Sequence, residues 1–170
     1  MHLSSRLNPL LLMLAGLVGG GQQPTQPTQP TQPTAAVIAW LDCVECTPAQ
    51  LDAVKTLGDQ AVPGFRNLLL SGPNDARLAS ERQRLQTAYQ ALKDYERRHP
   101  QNAVQRTEQQ YVELYLPQFV LRYRLRAAKA LGEIATPSAR AALQEAQRLN
   151  NLPERLRAEI SSALAPPPRR

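Results

Sequence analysis

RLRAAKALGEIATPSARAALQEA, residues 124–146, decides the fold of this chain. Leu121, Leu125, Ala128, Leu131 and Ile134 recur three and four residues apart, the stripe of an amphipathic helix. Ala127 and Ala130 widen that stripe with small side chains, which admits a close neighbour. A turn follows. Thr136 is placed to cap the next helix, and Pro137 suits a first helical position, where no amide donor is needed. Ala139, Ala142, Leu143 and Ala146 then make a second apolar stripe. The stretch is therefore a helical hairpin, and a lone hairpin cannot bury both of its apolar faces.

Working outward, the same unit recurs. Residues 47–69 read TPAQLDAVKTLGDQAVPGFRNLL, with Ala53, Leu57-Gly58, Ala61-Val62-Pro63, Phe65 and Leu68 in matching places. Arg157, Ile160 and Ala163-Leu164 repeat the spacing near the C-terminus, and Ala88 with Ala91-Leu92 keeps it without the glycine. The anchors Leu57, Leu92, Leu131 and Leu164 stand 33 to 39 residues apart, a period typical of helical repeat proteins. In these residues, with Arg124, Ala130-Leu131-Gly132 and Thr136-Pro137, the chain resembles HEAT repeats of the short, alanine-rich type found in phycobilisome lyases. The resemblance covers about residues 47–164. It implies an all-α fold, an alpha-solenoid of about three and a half HEAT-like hairpins. It further implies a structural, inter-repeat role for Arg124. Arg122, Arg124 and Arg126 form a basic cluster in the sequence but point in different directions on a helix. They suit solvated or inter-repeat positions, with an anion site as the alternative.

The rest of the chain divides by composition. Residues 1–21 have a basic start and a short apolar run, Leu10 to Val18, ending in three glycines. This is the pattern of a secretory signal peptide, with an uncleaved anchor as the alternative. The run is much shorter than the ~20 residues that span a bilayer. Residues 22–34 repeat Pro-Thr-Gln and have no apolar side chain to bury, so they read as a disordered, extended linker. Residues 35–165 form the repeat domain, and residues 166–170 a basic tail. Within the domain, residues 35–41, with the sole tryptophan, Trp40, are expected to cover the open end of the first repeat.

Cys43 and Cys46 immediately precede a capping box, Thr47 to Gln50. Haem attachment requires His after the second Cys, and Thr47 stands there. Zinc lacks enough ligands. A redox pair is opposed by Asp42 and Glu45, which disfavour a thiolate. A local disulfide in an exported chain is the expected state. Residues 75–99 read as a long helix with Leu78, Leu85 and Leu92 seven apart. The gap at Glu81 suggests that its first turns are less buried. Its return is expected over 104–116, with Tyr111, Leu114 and Tyr115 on one face. Pro117 then separates that helix from the next or kinks it. A final helix over 153–164 closes the domain.

At 170 residues the chain holds one domain with a real core, and its net charge of +6 is interspersed rather than blocked. No catalytic constellation, phosphate loop or metal-ligand set stands out, and no cofactor is expected. The expectation is an exported scaffold that binds a protein partner in the bacterial periplasm, cell envelope or medium, without catalysis and without nucleic acid. Contact with a membrane would come only through an uncleaved N-terminal segment. The alternatives are a lyase-like enzyme or accessory factor using the repeat groove, and a membrane-anchored adaptor. Stacked repeats would place inner helices over 61–70, 104–116 and 137–149. Their off-stripe residues Arg66, Asn67, Arg106, Gln109, Arg140, Gln144 and Arg148 would then line a polar, net basic partner groove.

Overall fold

The computed structural model describes residues 34–103 and 105–166, so the signal-like start, residues 22–33 of the linker and the last four residues lie outside it. The described residues are all helical apart from turns and loops. The seven α-helices are α1 (Ala35–Asp42), α2 (Pro48–Leu57), α3 (Val62–Ser71), α4 (Asp75–Arg98), α5 (Glu108–Ile134), α6 (Pro137–Gln147) and α7 (Glu154–Leu164).

Local chemistry explains where these helices begin. Thr47 and Gln50 form the expected reciprocal capping box, and Thr136 accepts a hydrogen bond from the Ala139 amide, with Pro48 and Pro137 just inside the two starts. Asn74 caps α4 in the same way. A second capping box, Thr107 with Gln110, starts α5. Each such cap satisfies amides that have no partner inside the helix and is worth about 1 kcal/mol. Gly58 and Gly72 end α2 and α3 at positive φ, as their places in the sequence suggest.

One expectation about the middle of the chain is corrected. The return helix over 104–116 starts only at Glu108 and does not stop at Pro117. It runs on through the first helix of the opening hairpin, so that α5 is one 27-residue helix with Pro117 inside. The proline lacks the amide that would bond the Glu113 carbonyl; the next carbonyl, of Leu114, also accepts from the Gln118 side chain at 3.2 Å. Tertiary packing along the remainder of α5 outweighs the local break. The first turns of α4, residues 75–80, are open as expected, while Glu81 after them is 8% exposed, with both carboxylate oxygens accepting from Arg84 at 2.6 and 2.7 Å.

α5 is the spine, packing against each of the other six helices. Its C-terminal half buries Ala127, Ala128, Ala130 and Leu131 in the core, and small side chains there let neighbours come close. Gly132 shows how close: a Cβ at that position would lie 2.7 Å from the Ala163 Cβ and 3.1 Å from its Cα.

The hairpin α2–α3 sits directly against the hairpin made by the second half of α5 and α6. Three polar links set the register. Lys55 pairs with Glu133 at 2.8 Å from α2 to α5. Asp59, in the turn after α2, accepts from Thr136, which caps α6, at 2.6 Å and from Ser138 in the first turn of α6. Arg66 forks onto Glu145 from α3 to α6, both bonds 2.6 Å. The hydrogen-bonded links span 77 to 79 residues, a nearly constant separation that means the two hairpins lie in parallel register, turn on turn. Arg124 adds a fourth link, donating to the Leu69 carbonyl in the last turn of α3 at 2.8 Å. That is the inter-unit role expected of it, and it satisfies a carbonyl the helix leaves open. α7 packs on α5 and α6 and closes the stack, and α1 covers the other end against α2 and α5.

The unit containing Leu92 therefore does not stand between its neighbours. α4 and the first half of α5 form a hairpin, held by Leu85, by Tyr89 against Tyr111 (ring centroids 5.7 Å) and by the Tyr89 hydroxyl donating to the Arg106 carbonyl at 2.8 Å. Tyr111 and Tyr115 share a face as expected, 4.6 Å apart, whereas Leu114 turns outward and is exposed.

Candidate functional site

A concavity lies where this hairpin meets the stack. It is an open cleft of about 840 Å³ between α4 and α5, reaching Pro153 at the start of α7. Leu78, Val112, Leu116, Pro117, Val120 and Leu121 give it an apolar lining, and Arg82, Gln86, Gln109, Glu113 and Arg124 stand among them as polar groups. The lining follows from α5: residues 112, 116 and 120 fall one turn apart on a single face. That face continues the helix past the point where α3 and α6 cover it.

At the other end of α5 a buried polar network ties down α1. Trp40 is 3% exposed, and its indole N–H donates to the Arg126 carbonyl at 3.0 Å. The Arg126 guanidinium in turn donates to the Leu41 and Cys43 carbonyls at the end of α1. Burial, and then the neighbouring Arg122 charge, pull the Arg126 pKa below its ordinary value. Asp42 ends α1, where the helix dipole disfavours a carboxylate. Arg77 at 2.6 Å and the hydroxyl of Tyr123 hold it there. Tyr123 is buried, and burial followed by its bond to Asp42 pushes its pKa up to about 12. Cys43 and Cys46 are at disulfide distance, with Cα atoms 5.2 Å apart, in the loop between α1 and α2. Val44 at the tip of that loop is 97% exposed.

Of the seven residues expected to line a basic groove, Arg66 and Arg148 are brought together at Glu145, whereas Arg106, Gln109 and Arg140 lie elsewhere. Arg66 is engaged by Glu145, whose carboxyl is held below its usual range by that bond. Asn67, Gln144 and Arg148 are exposed on α3, on α6 and just after α6. Arg140 lies on the other flank of α6, beside Glu133 and Glu159. Arg106 is in the loop before α5, and Gln109 is in the apolar cleft. The sequence reads the stretch that lines this cleft as an overlong, degenerate repeat, with a projecting arm for a partner as the alternative, and so does not foresee the cleft at its base. The Thr107-x-x-Gln110 capping signature was the clue that α5 starts there and runs on.

Among the described residues no group of three or more His, Cys, Asp or Glu side chains is arranged to hold a metal, and no helix is long and apolar enough to cross a membrane. No protein-family model, curated protein or solved structure matches the chain.

Proposed function

We propose that this chain is an exported HEAT-like scaffold without catalytic activity, and that it binds a protein partner through the apolar cleft between α4 and α5. The pattern of helix neighbours supports the HEAT-like part. α2 and α3 lie in turn-on-turn register with the second half of α5 and α6, and α7 adds the next half-unit. On this reading the stack is a short alpha-solenoid, and α4 with the first half of α5 is a hairpin inserted between two repeats. The signal-like residues 1–21 and the cysteine pair support export.

The cleft is the observation that carries the binding reading. An apolar lining about two turns long with polar groups at its margins suits an amphipathic helix laid along it, with side chains three and four residues apart as anchors. Arg82 and Arg124, with Glu108 and Glu113, favour charged residues of both signs at the edges of that helix. The test is site-specific photo-crosslinking in the native cell. A crosslinker at Val112 or Leu116 should trap one defined protein, and the same group at Gln144 or Asn67 should not. Equal yields from all four positions, or none from the cleft, would sink the reading.

A further inference from the structure

On the far side of α5 lies a second cleft, of about 690 Å³, bounded by α4 and by the first turn of α7. Its chemistry is unlike that of the first. Arg84, Arg122, Arg126 and Arg155 line it together with Tyr111, Tyr115 and Gln118, over a floor that includes Phe119 and Leu125. Glu81 is the one carboxylate in the lining, and Arg84 already holds both of its oxygens. The nearby Asp42 is occupied by Arg77 and Tyr123. Among the described residues, Arg122, Arg126 and Arg155 have no carboxylate within ion-pair distance. Arg122 lies over the Phe119 ring at 5.3 Å. Arg126 spends two of its five N–H donors on backbone carbonyls, which accept hydrogen bonds but carry no charge to neutralise it.

We propose that this cleft binds a doubly charged phosphoryl group, with Arg122, Arg126 and Arg155 as its cationic walls and Tyr115 and Gln118 as neutral donors. Arg122 and Arg126, expected to point apart, stand one turn apart on the same face of α5, and Arg155 joins them from α7. A tetrahedral oxyanion has oxygens to meet all three, whereas a planar carboxylate has two. A dianion also offsets more of the uncompensated charge, and guanidinium forks match phosphate geometry. Phe119 and Leu125 provide an apolar floor for an organic substituent on the phosphate. The proposal does not depend on the protein-docking reading, which concerns the other face of α5.

Trp40 supplies the readout, because its indole is bonded to the Arg126 carbonyl. Inorganic phosphate and phenyl phosphate are titrated at constant ionic strength into the purified protein, following Trp40 fluorescence and binding heat. Vesicles of phosphatidic acid, and of phosphatidylcholine as control, test a lipid phosphate in co-sedimentation. Saturable binding of the free phosphates marks a soluble ligand, and binding of the phosphatidic acid vesicles alone marks a membrane one. The double variant Arg122→Gln/Arg155→Gln changes two exposed side chains and leaves Arg126 to hold α1. It should raise the half-saturation concentration at least about tenfold, as expected for losing charged hydrogen bonds, with an unchanged circular dichroism spectrum. Three results would overturn the proposal: no saturable binding by any of the phosphates, an equal response to acetate at the same ionic strength, or unaltered binding by the folded double variant.

Discussion

Gly132 and Tyr123 show how single residues carry long-range information. Gly132 sits inside α5 and ends nothing; the helix stops three residues later at Ala135, which takes the left-handed conformation. The glycine is there because α7 passes against it. Gly132→Ala would improve helix propensity by ~1 kcal/mol, but the added methyl would meet Ala163 well inside contact distance, including backbone. The clash should win, with a net loss of about 1–2 kcal/mol in urea unfolding; a more stable variant would show that α7 is not closely docked. Tyr123 makes a pH prediction. Its pKa is about 12 in the folded protein against 10 for an ordinary tyrosine, so the folded state holds this proton more tightly. The stabilisation is complete below pH 10 and is lost as pH rises toward 12. Two units correspond to at most ~2–3 kcal/mol. Urea unfolding between pH 9 and 11.5 should show that loss in the native sequence and a flatter profile in Tyr123→Phe; matching slopes would remove Tyr123 as the cause.

At the scale of elements, α5 is unusual in carrying a proline ten residues from its start. An interior proline costs a helix ~3 kcal/mol. Pro117 also forms part of the wall of the apolar cleft. Pro117→Ala restores the missing amide to the Glu113 carbonyl and should raise stability by about 1 kcal/mol or more. The full amount is not regained, because Pro117 itself contributes apolar surface to the cleft wall. A urea midpoint at or below that of the native sequence would mean that packing of α4 requires the proline geometry.

For the whole molecule, the consequence of a shared spine is cooperativity. In a repeat array each unit touches only its neighbours, and long arrays can unfold piecemeal. Here α5 belongs to the projecting hairpin and to the stack, and it contacts every other helix. Unfolding should therefore be a single transition. Trp40 fluorescence, which reports the α1–α5 junction, and far-ultraviolet circular dichroism, which reports all helices, should give superimposable urea curves. Curves with separated midpoints would show that α4 and the first half of α5 unfold apart from the stack.

What could be read from the sequence alone was local. The starts at Thr47-Pro48 and Thr136-Pro137, the hairpin of residues 124–146, the covering role of residues 35–41 and the pairing of Cys43 with Cys46 depend on residues within a few positions of one another. Short-range periodicity, caps and spacing report such features directly. Tertiary structure decided the rest. Nothing near Pro117 says that the helix continues; that follows from contacts along the remainder of α5. The Glu81–Arg84 pair is local, three residues apart, but that Glu81 is buried follows only from the packing of α4 on α5. The anchor spacing treats Leu92 as one repeat among four, but Lys55–Glu133, Asp59–Thr136 and Arg66–Glu145 place the third unit directly on the first. Which helix neighbours which is settled by side chains nearly eighty residues apart, and no local preference encodes that choice. Both clefts beside α5 result from the same choice, since the displaced hairpin forms a wall of each.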